Sequence, residues 1–466
     1  MKLVMKFGGS CLNDGSGIKH VAGVVRDYSQ QGNNIVAVVS AMSGVTNKLI
    51  EIVEAILRNR DALNPFVGSL EEKHAQASRD AIRSEEILEQ TLALLNAQIA
   101  ELRNVLIGIG YVGEVTSKSR DYILSFGEKL STIMMAGALR DLGLRTEHFL
   151  GGQSGIVTDD SFGEAKPLMN ITKQQVKEKM GPIFEAGAIA VVTGFVGATQ
   201  EGHTTTLGRD GSDYTAVILG ASLQVDEVWM WKDIDGLMTA DPKVEPSAKT
   251  IPFLSFAEAM EMSYFGAKAV QPRALELAWE KGISIRVKNI LNLESPGTLI
   301  IEKPHVRSES VVKAVTMINS VALITVSGGG MVGVPGIAAK VFVVIGEKNI
   351  NVLMISQSSS EANISFILPR SGLEKAVNAL ELSLLGKGFV KEVTFETDVC
   401  IVTVVGAGMK GTPGVAARVF KAIAGQSINI RMIAQGSSEL SISFIVAESD
   451  GIRALQALHK EFKLDC

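Results

Sequence analysis

The sequence is poor in several features that mark particular classes of protein. Only three of its 466 residues are cysteines (Cys11, Cys400 and Cys466), and so few, widely separated thiols predict neither a disulfide framework nor a zinc cluster. The net charge of -5 leaves no basic excess for a nucleic-acid partner. The six histidines are scattered without metal-ligand spacing. We therefore expect reduced thiols, no resident metal and no nucleic-acid partner.

Long hydrophobic runs are also missing. The longest, such as residues 35–39, have the length of a strand, and the first strand runs into Gly8 and Gly9 without the apolar core of a signal peptide. We therefore expect no membrane contact and a cytoplasmic location. Hydrophobic residues nevertheless make up 46% of the chain and charged residues 20%, which is typical of a globular protein.

The last third of the chain contains an internal duplication. Residues 330–342 (GMVGVPGIAAKVF) return as 408–420 (GMKGTPGVAARVF), and residues 355–368 return as 433–446 at the same offset. Each copy predicts a ferredoxin-like βαββαβ unit. The second copy lacks its last strand, while a strand-like run at 311–318 precedes the first copy without a partner. We therefore predict that the first copy (319–397) is nested inside the second (310–318 with 398–466).

The rest of the chain predicts a larger unit over residues 1–301, followed by a polar linker at 302–309. Strand-like runs at 3–7, 35–39, 189–195, 227–231 and 285–288 alternate with helical patterns. Residues 70–106 are typical of one long amphipathic helix. This alternation predicts an α/β fold with an open, mostly parallel sheet between helices.

Three glycine-rich or hydroxyl-rich turns follow predicted strands in this unit. They are KFGGS (residues 6–10), SAMSGVTN (40–47) and TTLGRDGSDYTA (205–216). Glycine lets backbone N–H groups approach phosphate oxygens, and ligands bind at the carboxyl ends of parallel strands. Each turn alone would fit a capped loop, but together they predict a phosphate site.

Sequence patterns of two other nucleotide-binding folds are either misplaced or missing. GIGYVG (108–113) matches a dinucleotide-binding pattern, but it follows a helical stretch, and we interpret it as a turn. The phosphate-loop pattern G-x-x-x-x-G-K-[ST] does not occur in the sequence.

The ordered motifs resemble the aspartate kinases of the amino-acid kinase superfamily. KFGGS, SAMSGVTN, SFGEKLS (125–131), TTLGRDGSDYTA, WKDIDGLMTADPK (231–243) and residues 255–275 occur in that order, and the duplicated units are similar to ACT domains. The resemblance covers essentially the whole chain and implies a monofunctional aspartokinase, without a fused homoserine dehydrogenase. Asp210 departs from it, because the family commonly has glycine there.

The resemblance implies transfer of the γ-phosphoryl group of MgATP to the β-carboxylate of L-aspartate, and it assigns roles by motif. The implied catalytic residues are Lys6, Asp213 and Lys268. The implied nucleotide-binding residues are Gly8, Gly9, Ser10, Lys232, Asp233, Met238 and Lys243. The implied aspartate-binding residues are Ser40, Thr46, Glu128, Arg209 and Ser212.

The ACT-like units imply feedback inhibition by an amino acid. The QSSSE and QGSSE segments (357–361 and 435–439) look closer to threonine-sensitive than to lysine-sensitive aspartokinases, so threonine is the expected effector and lysine the second choice. The implied effector contacts are Asn351, Gln357, Asn429 and Gln435. ACT units commonly associate between subunits, which implies a homodimer or a dimer of dimers.

Two alternatives stay open. The chain could be another kinase of the superfamily, acting on glutamate, acetylglutamate, carbamate or uridylate. It could also be a catalytically silent amino-acid sensor that kept only its ACT function, although Lys6, Arg209, Asp213 and Lys268 are intact.

Overall fold

The computed structural model describes residues 1–266, 270–303, 311–385 and 390–465. The described residues form two compact units. The first contains residues 1–237, 252–256 and 270–303, and the second contains residues 238–251, 257–266 and everything described from 311 onwards.

The first unit is built on an eight-stranded sheet. Its strands, with the small β5–β6 pair, are β1 (Lys2–Phe7), β2 (Asn34–Val39), β3 (Thr146–Phe149), β4 (Ile189–Thr193), β5 (Val196–Ala198), β6 (Thr204–Thr206), β7 (Glu227–Lys232), β8 (Phe253–Ser255), β9 (Ser284–Asn289) and β10 (Thr298–Ile301). The order is β3-β4-β2-β1-β7-β9-β10-β8, and every adjacent pair is parallel except β9–β10. The predicted mostly parallel sheet is confirmed.

Helices cover this sheet. They are α1 (Gly15–Gln30), α2 (Val45–Arg58), α3 (Leu63–Ala81), α4 (Glu85–Val112), α5 (Ser117–Asp141), α6 (Met169–Glu185), α7 (Gly211–Leu223) and α9 (Pro272–Lys281), while α8 (Phe256–Tyr264) lies in the second unit apart from its first residue. The central strands are almost wholly buried, as is typical of a parallel sheet with both faces covered.

The prediction of a single helix over residues 70–106 is wrong, because two helices, α3 and α4, cover this range. The chain leaves the helix after Ala81, and Ser84 caps a new one by accepting a hydrogen bond from the Ile87 backbone N–H. The turn predicted at 108–113 is also wrong, because residues 108–112 continue α4 and only Gly113, with a φ of 73°, ends it.

Helix α4 also bears on the expectation that no segment could span a membrane. By length and composition alone this 28-residue helix is apolar enough to cross one. Core helices of soluble proteins pass the same test, so a single such helix is weak support for a membrane span. Here α4 packs against α3 and α5, and Leu95, Ile99, Leu102 and Leu106 lie in the hydrophobic core.

The second unit is built on a six-stranded antiparallel sheet. Its strands are β11 (Ala314–Ser327), β12 (Met354–Gln357), β13 (Asn363–Pro369), β14 (Glu392–Val405), β15 (Met432–Ala434) and β16 (Ser441–Ala447), in the order β12-β13-β11-β14-β16-β15. Helices α10 (Ile337–Glu347) and α11 (Leu373–Leu384) accompany the first copy, and α12 (Val415–Gly425) and α13 (Gly451–Glu461) the second.

The two long strands of this sheet, β11 and β14, take part in both copies of the duplicated unit. Residues 314–318 of β11 pair with residues 401–405 of β14, whereas residues 321–327 pair with β13 and with the first half of β14. A bulge at Ser320, with a φ of 59°, separates the two halves of β11. The early strand therefore completes the sheet of the second copy, as predicted.

Two segments that precede the duplicated region pack within this second unit. The Thr239 hydroxyl lies 2.9 Å from His459 Nε2 on α13, and the Thr239 carbonyl accepts a hydrogen bond from the Val315 N–H. On α8, the buried Glu258 pairs with Lys313 at 2.9 Å and accepts the Ala407 N–H. The proposed domain limits stay predictions. Segments 238–251 and 257–266 nevertheless belong to the second unit, although they precede the boundary predicted near residue 301.

Candidate active site

Backbone hydrogen bonds join the turns that follow the central strands of the first unit. The Gly8 N–H donates to the Trp231 carbonyl, the Ser40 N–H to the Phe7 carbonyl, and the Gly194 N–H to the Val39 carbonyl. A β-carbon on Gly9 would lie 3.1 Å from the Ala41 carbonyl oxygen, so the first two turns are in near contact. The parallel register therefore places the first two predicted turns, after β1 and β2, at one edge of the sheet. The prediction is wrong for the third turn, because β6 pairs with β5 in a separate two-stranded antiparallel sheet.

A buried charge cluster lies at this edge. The Lys6 ammonium is 2.6 Å from Asp213 Oδ1, and the Lys232 ammonium is 3.5 Å from Asp213 Oδ2. Burial raises the pKa of Asp213, but the charges of Lys232 and Lys6 outweigh it and hold that pKa below its usual value. The cluster thus carries one ionised carboxylate and two cations.

The first turn supplies neutral and polar groups beside this cluster. A β-carbon on Gly8 would lie 3.7 Å from Lys6 Nζ, so the glycine backbone runs past the ammonium. The Ser10 hydroxyl donates to Asp233 Oδ1 at 3.2 Å, linking the turn after β1 to the end of β7. Backbone amides with a lysine charge beside them can bind phosphate oxygens.

Glu128 is a buried carboxyl group on α5. It is 5% exposed, and its Oε2 has no hydrogen-bond partner. Burial raises the pKa of Glu128 to about 8, although hydrogen bonds from the Ala41 and Glu128 backbones and the charge of Lys6 oppose the rise. A buried acceptor without a partner is costly, so the site is suited to a ligand that brings a donor.

The turn before α7 and the first turn of that helix carry two of the predicted aspartate-binding residues, Arg209 and Ser212. Ser212 packs against Gly194, where a β-carbon would lie 2.6 Å from the Ser212 hydroxyl, so this close approach requires glycine. Arg209 is largely exposed (87% of its side chain), with Asp210 Oδ2 4.0 Å from its Nε. A guanidinium in this position is available to a carboxylate.

Asp210 occupies the N-cap position of α7 with a φ of 57°. Glycine adopts this left-handed conformation freely, and aspartate tolerates it better than most residues. The backbone geometry therefore gives a physical reason for the glycine that the resemblance favours here. The exposed Asp210 side chain faces Arg209.

The remaining predicted residues that the structure describes form no hydrogen bond or ion pair with the charge cluster. Ser40 and Thr46 are half-buried in the second turn and at the start of α2. Met238 and the exposed Lys243 belong to segment 238–251 of the second unit. Lys268 lies outside the described residues.

Sequence reasoning missed a residue that connects these turns. Gln271 donates its backbone N–H to Asp213 Oδ2 at 3.3 Å and its side-chain amide to the Arg209 carbonyl at 2.7 Å. The only available signal was its place in the motif at 255–275, because both contacts join segments that are far apart in the chain.

The second unit contains a cavity of about 310 Å³ at the start of α10. It is lined by Met331, Pro335, Ile337, Gln357, Glu361 and Ile364, among others. Glu361 Oε2 accepts the Gly333 N–H, and Glu439 accepts the Gly411 N–H in the second copy. The Asn351 amide donates to the Tyr264 hydroxyl at 3.4 Å, and Asn429 and Gln435 are exposed.

Among the described residues, no group of three or more His, Cys, Asp or Glu side chains could hold a metal ion. The charge cluster has a single carboxylate beside two ammonium groups. Such a cluster is suited to anions rather than to a resident cation.

Comparison with known families matches both units. The profile of the Amino acid kinase family matches residues 1–289, and an ACT domain profile matches residues 324–384 and 402–462. The ACT matches fall on the two copies of the duplication.

Curated relatives align along nearly the whole chain. The bifunctional aspartokinase/homoserine dehydrogenase 1 of Arabidopsis thaliana is 34% identical over 469 residues, covering 99% of this chain but 51% of that protein. The chain thus spans about half the length of the bifunctional relatives. Aspartokinase 1 of Arabidopsis thaliana, a chloroplastic protein, is 32% identical, covering 98% of this chain and 80% of the relative.

Solved structures agree with these matches. Escherichia coli aspartokinase III in complex with aspartate and ADP superposes with a TM-score of 0.83 at 26% identity, covering 99% of this chain and 100% of that one. The same enzyme in complex with lysine and aspartate gives a TM-score of 0.79. With this fold, the paired ACT units and the aspartokinase relatives aligned along its length, the chain belongs to the amino acid kinase family and, within it, to the aspartokinases.

Proposed function

We propose that this protein is an aspartate kinase, which transfers the γ-phosphoryl group of MgATP to the β-carboxylate of L-aspartate. The products are 4-phospho-L-aspartate and ADP, at the first step toward lysine, threonine and methionine. The observation that carries the proposal is the buried cluster of Lys6, Asp213 and Lys232 beside the glycine turn.

The acceptor chemistry fits this site. The β-carboxylate of aspartate is ionised at neutral pH, so the reaction needs no general base. A carboxylate oxygen forms a bond to the γ-phosphorus while the bond from that phosphorus to the bridging oxygen of ADP breaks. The protein must hold two anions in line and stabilise the charge between them.

The charge cluster is suited to that task. Lys6 neutralises the transferring group, and Gly8, Gly9 and Ser10 bind its oxygens through the turn. Asp213 keeps Lys6 and Lys232 oriented, since it contacts both ammonium groups. Lys268, Asp233, Met238 and Lys243 stay proposed nucleotide contacts on the resemblance alone, and Mg²⁺ arrives with the ATP.

The proposed site for aspartate combines an acidic group and a basic group. Glu128 binds the α-ammonium, because its Oε2 is buried without a partner. The exposed guanidinium of Arg209 binds a carboxylate of the substrate, with Ser40, Thr46 and Ser212 as further hydrogen-bonding groups.

Replacement of Lys6 tests the proposed site. We expect Lys6→Ala to lower kcat for aspartate-dependent ADP release at least about a hundredfold, because it removes a charge that acts in the transition state. The matched control is Lys2→Ala, which removes an exposed lysine from the same strand. Wild-type turnover in Lys6→Ala would exclude Lys6 as the phosphoryl-stabilising group.

We further propose that threonine inhibits this activity through the cavity at α10. The cavity volume of about 310 Å³ is sufficient for an amino acid, and its lining includes the predicted Gln357. Asn351, Asn429 and Gln435 stay proposed contacts, and lysine is the alternative effector. Inhibition that is lost in Gln357→Ala but kept in Gln435→Ala would assign the response to the first copy, and the reverse result would assign it to the second.

Two further properties are proposed with the function. The ACT units are expected to associate in a homodimer or a dimer of dimers, which light scattering would measure. A cytoplasmic location is expected as well, although the aspartokinase relatives from Arabidopsis thaliana are chloroplastic proteins.

A further inference from the structure

A second buried carboxylate on α5 lies outside the proposed chemistry. Asp121 is 1% exposed and accepts three hydrogen bonds. Its Oδ2 accepts the Gly163 N–H at 2.9 Å and the Thr206 N–H at 2.8 Å, while its Oδ1 accepts the Thr206 hydroxyl at 2.8 Å. One side chain therefore joins helix α5, the turn near residue 163 and the end of β6.

Both sides of this junction lead to proposed acceptor residues. Glu128 follows Asp121 by seven residues on α5, which is two helical turns and places both on one face. Arg209 follows Thr206 by three residues, through Leu207, whose N–H donates to Phe195, and Gly208, whose φ is 81°. Asp121 thus connects the ammonium-binding half of the acceptor site with its carboxylate-binding half.

The neighbouring turn strengthens the same junction. The Ala165 N–H donates to the Thr206 carbonyl, so residues 163–165 and the end of β6 are held together. A β-carbon on Gly208 would lie 3.4 Å from Glu164, which pairs with Arg273 at 3.2 Å. Loss of Asp121 would leave the buried Thr206 N–H and the partly buried Gly163 N–H without this acceptor.

We propose that Asp121 is a positioning residue that sets the distance between Glu128 and Arg209, and hence the affinity for the amino-acid acceptor. It acts through Thr206 and the Arg209 turn rather than by touching substrate. The proposal rests on the aspartate kinase activity and on the roles of Glu128 and Arg209 in it.

Four variants test this role through the KM values of both substrates. We expect Asp121→Ala to raise the KM for aspartate about tenfold or more while the KM for ATP stays within about twofold, since each lost hydrogen bond corresponds to roughly fivefold in affinity. Thr206→Val removes one hydroxyl and should raise the KM for aspartate by a few fold. Asp121→Asn should keep both KM values near those of the wild type. The asparagine amide oxygen can accept both N–H groups, and the amide nitrogen can donate to the Thr206 hydroxyl.

Asp141→Ala is the matched structural control. Asp141 also lies on α5 and accepts two backbone N–H groups, from Arg83 and Ser84, but at the opposite end of the helix. It should lower the thermal midpoint without a selective change in the KM for aspartate.

Three results would overturn the proposal. They are an unchanged KM for aspartate in Asp121→Ala, a KM for ATP that rises in parallel, and a KM for aspartate that rises as much in Asp141→Ala. If Asp121→Ala does not fold, Thr206→Val decides, and an unchanged KM for aspartate in that variant would refute the role. Absence of aspartate turnover in the wild type would instead refute the proposed function, and this inference with it.

Discussion

At the scale of single residues, Glu128 and Asp213 show how the surroundings set the charge of a buried acid. Both side chains are almost fully buried. Asp213 lies between two ammonium groups and keeps its charge, whereas burial dominates at Glu128 and raises its pKa to about 8. The two groups therefore suit different tasks, one orienting lysines and the other receiving a cation.

The raised pKa of Glu128 predicts a pH-dependent KM for aspartate. Below about pH 8 the free enzyme holds Glu128 largely protonated, and the substrate ammonium favours the ionised form. We expect the KM for aspartate to fall as the pH rises from about 6.5 to 8.5. Steady-state kinetics across this range would measure the effect.

Two variants separate Glu128 from other titrating groups. Glu128→Gln should raise the KM for aspartate and flatten its pH dependence. Glu54→Gln, which changes an exposed acid paired with Arg120, should keep the wild-type profile. A pH dependence that survives in Glu128→Gln would contradict the assignment.

At the scale of secondary-structure elements, helix α3 contains a histidine that should weaken the fold in acid. His74 is fully buried, its Nδ1 is 2.7 Å from the Leu70 carbonyl, and its Nε2 has no partner. Burial lowers the pKa of His74 from 6.5 to about 4, with a smaller opposing contribution from the hydrogen bond to Leu70. The ring is therefore neutral in the folded protein.

The sign of the pH effect follows from this lowered pKa. Between about pH 6.5 and 4 the unfolded chain binds a proton that the folded chain does not, so stability is full above 6.5 and falls toward pH 4. His74→Leu should remove up to about 3 kcal/mol of that loss in the free energy of unfolding. Urea unfolding at pH 7 and pH 4.5 would measure it, with His203→Gln, at an exposed turn, as the control.

An equal acid-induced loss of stability in the wild type and in His74→Leu would contradict this account of α3. The comparison between the two proteins matters more than either pH curve, because other carboxyl groups titrate in the same range.

The elements also show what sequence patterns could and could not predict. Continuous apolar runs predicted the central strands, since a parallel sheet covered on both faces needs them. The break between α3 and α4 was missed because the helical spacing continues across it, although the Ser84 cap ends the pattern locally. Gly108 and Gly110 were misread because tertiary packing overrides the low helix propensity of glycine.

The site divides in a similar way. The position of Lys6 and Ser10 at the edge of the sheet could be predicted, because strand-to-helix turns of a parallel sheet meet there. Asp213 reaches Lys6 from α7, which follows the small antiparallel pair, and its role was implied by the resemblance alone. Asp121 and Gln271 could not, since their contacts join segments that are distant in the chain.

At the scale of the whole molecule, the duplicated region forms one continuous sheet from two interleaved copies. In both β11 and β14, one half of the strand belongs to the first copy and the other half to the second copy. The same unit includes segment 238–251, which carries the proposed nucleotide residues Met238 and Lys243. An effector bound in this unit would regulate catalysis only if its affinity differs between active and inactive states.

The most direct test of the account is aspartate-dependent ADP release from MgATP by the wild-type protein, with and without threonine or lysine. We predict turnover that requires aspartate and that threonine suppresses. Turnover that neither amino acid affects would keep the kinase and refute the effector assignment. Absence of turnover with aspartate, in a protein that still binds threonine, would contradict the central claim and indicate an amino-acid sensor.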